Sequence, residues 1–366
     1  MIKIFKMSLA GLLFSVATIS SAGMITPNPT APSIAGTAHI LQDYDSGHIL
    51  MSENADERLP PASITKLMTS YVVSQEIHDG NIKLDDEVLI SEKAWRMIGS
   101  RSFIEVNTKV TVEALLRGMI VQSGNDAAVA LAEHVAGSEE VFAQMMNQYA
   151  QKLGMVNTNY QNATGLPGPE HYTTAHDIAI LSAALIRDFP EHYQWYAEKE
   201  YTYNGITQHN RNKLLWRDNT VDGLKTGHTE EAGYCLSASA KRDGMRLIAV
   251  VLGTASENAR AQEIQKMFNF GFRFFETHQL YAADEAITQT KVWKGQTDQL
   301  NLGLAQPLSI TVPRGRYKDL QASTNIQQPV VAPVAKGTEL GEVEIRLGDE
   351  VVATRKLVAV EEVEKG

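Results

Sequence analysis

The stretch Pro60-Pro61-Ala62-Ser63-Ile64-Thr65-Lys66-Leu67-Met68-Thr69 decides how the rest of the sequence is read. Two prolines precede apolar residues at helical spacing (Ile64, Leu67, Met68, Tyr71, Val72), and a proline ring is tolerated at a helix start but not deeper inside. The spacing predicts a helix over residues 63–76, with Ser63 at or near its N-terminus. Positions i and i+3 share a helix face, so the Ser63 hydroxyl and the Lys66 amine can meet. A serine is a poor nucleophile until a base removes its proton, and a lysine is such a base when burial or nearby positive charge lowers its pKa. Backbone N–H groups at the helix start suit an oxyanion. Taken alone, Ser-x-x-Lys fits equally well a helix-cap serine beside a solvated lysine.

Working outward, residues 38–51 read as a hairpin about the turn Asp45-Ser46-Gly47. Helical patterns cover 112–121, 127–135, 141–153 and 176–186, the first two broken at Ser123-Gly124-Asn125. Residues 162–174 are irregular. Strand patterns return at 224–226, 234–241 and 245–254, and a helix over 258–275 follows them. Strands first, helices in the middle, then strands and a helix predict an α/β sandwich in which an antiparallel sheet packs with helices, not a parallel βαβ array. Beyond Gln279 short alternating runs punctuated by Pro313, Pro329, Pro333, Gly341 and Gly348 predict a small all-β domain.

Composition narrows the function. The 366 residues carry 33 Lys+Arg against 43 Asp+Glu, a net charge of −10, which argues against a nucleic-acid-coating protein because such binding rests on cations meeting phosphates. A single cysteine, Cys235, excludes a disulfide within the chain and a Cys-rich metal site, and reads as a small buried hydrophobe. His171, His176 and Asp177 do not form a helix-face His-x-x-x-His pair, so no metal is expected there, and Asp177 reads as a helix cap. Lys3 and Lys6 precede an uncharged, largely apolar run over 7–19 and the small residues Ser20, Ser21 and Ala22, the pattern of a cleaved secretory signal. Its removal brings the net charge to −12. The expected organisation is a leader over 1–22, a catalytic domain over 23–279 and a β domain over 280–366.

Two elements join Ser63 and Lys66. Ser123-Gly124-Asn125 offers a hydroxyl and a carboxamide at a helix break, and Lys225-Thr226-Gly227 offers a cation and a hydroxyl on a strand, where the glycine lets a substrate backbone approach. Read singly, they are a polar interhelical turn and a surface strand end. In this order they resemble the signature of the serine penicillin-binding proteins and β-lactamases. Within that superfamily the sequence most closely resembles D-alanyl-D-alanine carboxypeptidases of the penicillin-binding protein 5 type, through PPASITKLMT (60–69), QSGNDAA (122–128), VDGLKTGHTEEAGY (221–234), GFRFFET (271–277) and, for the second domain, PRGRYK (313–318).

The resemblance implies a serine hydrolase without cofactor that removes the last D-alanine of peptidoglycan pentapeptide through a Ser63 acyl-enzyme and is inhibited by β-lactams. Lys66 is then the general base and Ser123 relays protons to and from the leaving amine. Asn125 holds the substrate backbone, Lys225 and Thr226 bind the terminal carboxylate, and the N–H groups of Ser63 and His228 form the oxyanion hole. Gly227 gives the substrate access, and Arg211 and Asp177 match charged positions near the cleft or serve as structural ion-pair partners. A β-lactamase of class A needs a glutamate in the loop that matches 162–174. Glu170 is the only acid there, and Thr174 stands where an asparagine is expected. A β-lactamase, a DD-endopeptidase or a silent wall-binding scaffold stays open as an alternative. The expected location is the periplasm. Members of the family usually end in an amphipathic helix on the outer face of the inner membrane, whereas Glu361-Glu362-Val363-Glu364-Lys365-Gly366 is acidic and has no apolar face, so either an anchor lies beyond Gly366 and holds the protein to that membrane face or the protein is freely periplasmic.

Overall fold

The computed structural model describes residues 30–366, and the expected leader over 1–22 lies outside them. Strands β1 (Ala38–Asp43), β2 (Ile49–Glu53), β3 (Val221–Thr229), β4 (Gly233–Arg242) and β5 (Met245–Thr254) form one antiparallel sheet in the order β2-β1-β5-β4-β3. The central strands are buried on both faces, which is why 247–252 is a continuous apolar run. Ile40, Ile248, Val250 and Leu252 enter a core shared with the helical side, while their alternates Leu41, Leu247, Ala249 and Val251 pack on helix α6 (Glu257–Phe274). The sheet is thus sandwiched as the element order predicts.

The helical side holds α1 (Lys66–His78), α2 (Val112–Arg117), α3 (Asn125–Ala136), α4 (Glu139–Leu153) and α5 (Ala175–Asp188). Every residue of α1 from Lys66 to Ser74 is buried, so this helix is central and not amphipathic. The helix expected over 112–121 departs from its pattern: after Arg117 it widens into a π-helical turn, Gly118–Gln122, that ends at Ser123 with a left-handed φ of 69°. Such widened turns recur where a side chain must be re-aimed. Strand pairs Glu87–Leu89 with Lys109–Thr111, and Glu200–Tyr203 with Ile206–His209, lack long alternating runs and were not legible in the sequence.

The second domain is all β. A six-stranded sheet runs Leu320–Ile326, Glu339–Leu347, Glu350–Ala359, Gln299–Gly303, Thr288–Trp293 and Val330–Val331, with a separate core that includes Leu300, Val343, Ile345 and Leu357. Strand Phe275–Tyr281 pairs with Leu308–Pro313 and runs straight through the junction expected at 279/280, because α6 passes directly into it. Arg314 of the PRGRYK stretch ties this join by donating to the Phe272 and Phe275 carbonyls at 2.8 and 3.0 Å.

Asp43, fully buried at the end of β1, links the two domains. One carboxylate oxygen accepts from the Ser46 N–H and hydroxyl, both at 2.8 Å, and the other accepts from the Thr277 hydroxyl at 2.7 Å. The Thr311 hydroxyl closes the network at 2.6 Å from Ser46 and 2.8 Å from Thr277. Buried donors stripped of a shared acceptor cost about 1–3 kcal/mol each. Asp43→Ala is therefore expected to lower the thermal unfolding midpoint by several degrees in calorimetry, and an unchanged midpoint would show that the network carries no stability.

Candidate active site

Ser63 and Lys66 meet through a tighter turn than an α-helix. Ala62–Thr65 is a 3-10 turn that passes into α1 at Lys66, and in that geometry i and i+3 lie one directly above the other. Lys66 Nζ stands 3.0 Å from Ser63 Oγ, 2.7 Å from Asn125 Oδ1 and 2.6 Å from the Thr164 carbonyl. Asn125 donates its Nδ2 to the Ile98 carbonyl at 2.6 Å, which leaves Oδ1 for the lysine. Burial, then the Arg211 guanidinium, lower the Lys66 pKa from 10.5 to about 7, against a smaller opposing pull from Asp126. A neutral amine has two N–H bonds and one lone pair. Asn125 Oδ1 and the Thr164 carbonyl can only accept, so they take both N–H bonds and the lone pair is left for Ser63.

These groups border a cleft of about 380 Å³ with Ser123, Arg211, Thr226, Gly227 and His228 among its walls. Ser123 Oγ is buried and has no hydrogen-bond partner among the described residues, so its hydroxyl is available to a ligand atom in the cleft. Strand β3 is the sheet edge beside the 62–65 turn, and Gly227 is where they touch: a Cβ there would lie 3.1 Å from the Pro61 carbonyl and 3.2 Å from Ala62 Cβ. Lys225 lies below the cleft surface, buried, with the Thr226 carbonyl 3.1 Å away. Burial and then Lys66, Arg211 and Arg260 hold its pKa well below the usual lysine value. The exposed His228 ring stacks on Tyr234 at 4.0 Å, and Arg260 sits over the same Tyr234 ring while donating to the Gly227 carbonyl at 3.1 Å. Glu257 is the only carboxylate among the lining residues, so the cleft is cationic despite an acidic chain.

This geometry coincides with two family profiles. Residues 25–256 match the family described as D-alanyl-D-alanine carboxypeptidase, and 275–365 match the penicillin-binding protein 5 C-terminal domain. The chain belongs to the D-alanyl-D-alanine carboxypeptidase family. It is 46% identical over 344 residues to the D-alanyl-D-alanine carboxypeptidase DacC of Escherichia coli, across 92% of this chain and 86% of the relative. The crystal structure of penicillin binding protein 5 from Haemophilus influenzae superposes with a TM-score of 0.89 at 42% identity, over 92% of this chain and all of that one. Penicillin-binding protein D2 of Listeria monocytogenes, solved in its ampicillin-bound form, superposes at 0.62 with 30% identity over 67% of this chain and 100% of that one.

Within this carboxypeptidase fold, Ser63, Lys66, Ser123, Asn125, Thr226, Gly227 and His228 converge on one cleft, with Lys225 beneath it. Arg211 lines it too. Asp177 does not: its carboxylate takes the Asn157 N–H at 2.9 Å and the Thr158 hydroxyl at 2.6 Å, away from the cleft. Nor is it the helix cap, since the Thr174 side chain accepts the Asp177 N–H at 3.0 Å. Glu170 is exposed, lines no wall of the cleft and joins the loop through its backbone. His176 pairs with Asp56 at 3.0 Å. Among the described residues no group of three His, Cys, Asp or Glu is placed to hold a metal ion.

Thr164 and Gly165 were missed, because a backbone carbonyl leaves no trace in a residue pattern. Asn162-Ala163-Thr164-Gly165 did carry a turn signal. Asn162 Oδ1 accepts from the Thr164 and Gly165 N–H groups at 3.1 and 2.7 Å, an Asx-type turn. Gly165 has φ +86°, and a Cβ there would sit 1.8 Å from the Ala62 carbonyl oxygen. Gly165→Ala must therefore push the loop off the nucleophile turn. It is expected to slow covalent labelling by a fluorescent penicillin about tenfold or more, the scale of a small misplacement of reacting groups. Labelling at the unaltered rate would show that the loop does not set the site.

Proposed function

We propose that the protein is an exported serine D-alanyl-D-alanine carboxypeptidase that removes the terminal D-alanine from the pentapeptide stem of peptidoglycan in the periplasm. The observation that carries this reading is the 3.0 Å contact between Ser63 Oγ and a lysine whose pKa is brought to about 7. The family and the leader-like residues 1–22 support it.

In this mechanism neutral Lys66 takes the Ser63 hydroxyl proton as Oγ attacks the carbonyl carbon of the penultimate D-alanine. The N–H groups of Ser63 and His228 hold the oxyanion that forms. The C–N bond then breaks, the leaving amine receives its proton through Ser123, and free D-alanine departs. Water attacks the Ser63 ester, a proton returns to Oγ, and the shortened stem is released. A β-lactam meets the same nucleophile, and its amide bond opens to give a Ser63 ester. Asn125 orients the substrate backbone, and Gly227 lets that backbone come close to β3.

Lys225 and Thr226 are the terminal carboxylate's partners. Burial and the neighbouring Lys66, Arg211 and Arg260 make Lys225 hold its proton weakly. A bound carboxylate supplies a negative charge and favours the protonated form. An uncharged C-terminus would leave that cation buried and unpaired, which gives the site its preference.

Incubation with pentapeptide is expected to release one D-alanine per stem, while crosslinked dimer and a cephalosporin are turned over more slowly. Faster turnover of either would reassign the enzyme as an endopeptidase or a β-lactamase, and stable acylation without peptide turnover as a silent scaffold. Ser63→Ala should abolish both D-alanine release and penicillin labelling in a protein that unfolds at the native midpoint. The base form of Lys66 fills as pH rises, so the acylation rate should climb about tenfold per pH unit below pH 7 and level off above it. A rate flat between pH 5 and pH 7 would remove Lys66 from the base role. Lys225→Ala should reduce kcat/KM for pentapeptide about ten- to a hundredfold, the worth of one charge-assisted hydrogen bond. An equal loss on a substrate with an amidated C-terminus would refute the carboxylate role.

A further inference from the structure

His171 is a buried titratable side chain beside the nucleophile turn that the mechanism above does not use. It is 4% exposed and sits in the loop that carries Thr164. Its Nδ1 is approached by two N–H donors, Asn162 Nδ2 at 3.2 Å and the Gln161 backbone N–H at 3.4 Å. Nδ1 must therefore be the unprotonated, accepting nitrogen. The ring proton is then on Nε2, which donates to Thr65 Oγ1 at 3.0 Å. Tyr160 packs edge-on against the ring with centroids 5.8 Å apart, and burial brings its pKa down to about 4, so the imidazole is neutral across the working range.

The bonds on either side make a closed circuit. Thr65, fully buried, is joined to Lys66 by one peptide bond. Beyond the ring, Asn162 Nδ2 also donates to the Leu166 carbonyl at 2.9 Å, and its Oδ1 accepts from the Thr164 N–H and hydroxyl and from the Gly165 N–H. Every polar atom of the Asn162 carboxamide is thus engaged. Thr164 returns the circuit by accepting from Lys66 Nζ at 2.6 Å. Two further ties hold the same loop one residue earlier, the Thr69 hydroxyl on the Ala163 carbonyl at 2.7 Å and the Ala163 N–H on Glu139 at 3.1 Å.

We infer that His171 is a positioning residue: as a neutral donor–acceptor bridge between Thr65 and Asn162, it holds the Thr164 carbonyl on the Lys66 amine and keeps water out from beneath it. The inference rests on the base role proposed for Lys66. The charged groups around that amine, Arg211, Lys225 and Asp126, are unchanged by substitution at 171, so a shift in its titration reports its packing and partners.

The test is the pH profile of Ser63 acylation by a fluorescent penicillin, read by stopped flow, with the unfolding midpoint measured in parallel. His171→Ala opens a polar gap that water can fill, which relieves the desolvation of Lys66 and moves the profile to higher pH. The expected result is an alkaline shift of the profile's midpoint and about a tenfold or greater loss of acylation rate at neutral pH. His171→Gln, whose carboxamide offers one donor and one acceptor on the same side-chain end, should restore both. Thr65→Val removes only the acceptor for Nε2 and tests the same link should the alanine variant fold poorly. It should also move the midpoint upward. An unmoved midpoint in Thr65→Val or His171→Ala, or a rate loss that tracks stability and is not rescued by glutamine, would overturn the inference. If the unaltered protein is not acylated at Ser63, the proposed function itself fails, a result distinct from either.

Discussion

A lysine amine buried with three oxygen partners, none of them a carboxylate, is the constraint on which the site depends. Desolvation disfavours the ammonium form, and Arg211 adds to the effect, so Lys66 is poised near neutrality instead of fully charged. Such an amine needs acceptors for its two N–H bonds. Asn125 Oδ1 and the Thr164 carbonyl supply them, from the start of α3 and from the 162–174 loop respectively. What remains is a lone pair directed at Ser63. Three segments distant in sequence must be held to within tenths of an ångström for this to work, and much of the helical half is arranged to hold them.

The supporting features follow from that need. Burial of α1 on all sides through Ser74 removes water from around Lys66. The π-helical turn after Arg117 re-aims the chain so that Ser123 reaches the cleft and Asn125 begins the next helix. Gly165 and Gly227 let the loop and the sheet edge close on the nucleophile turn from two sides, where a Cβ at 165 would strike the Ala62 carbonyl and one at 227 would crowd the Pro61 carbonyl. The result is a cleft with cations on several walls and beneath its floor. A cluster of like charges in a partly dry site is costly by itself, and the substrate carboxylate proposed to bind there would offset part of that cost.

The β domain has its own core and is joined through α6, which continues without a loop into strand Phe275–Tyr281, and through the Asp43 network. A direct helix-to-strand passage and a buried carboxylate shared by hydroxyls from both domains leave little slack at the junction. No part of the catalytic cleft is lined by residues beyond Arg260.

Much was legible without coordinates because local chemistry writes itself into residue order. Pro60-Pro61 marked the helix start, Ser-x-x-Lys placed a hydroxyl one turn from an amine, and apolar periodicity gave the antiparallel sheet, its helices and the all-β end. The candidate residues Ser63, Lys66, Ser123, Asn125, Lys225, Thr226, Gly227 and His228 were named from these motifs taken with their resemblance to the penicillin-binding proteins. Sequence could not say that Asp177 would turn to Asn157 and Thr158, that the strand at Phe275 would run through the expected domain junction, or that Thr164 would offer its carbonyl. Those outcomes depend on which distant segments pack together, and backbone acceptors look alike in every residue type. The sequence by itself determined the chemistry available, a hydroxyl, an amine and a second cation on a strand, in order along the chain. Only the tertiary structure decided that the amine is neutral enough to act, because a lysine's pKa is set by the water it loses and the charges it meets, and both are properties of the packed fold.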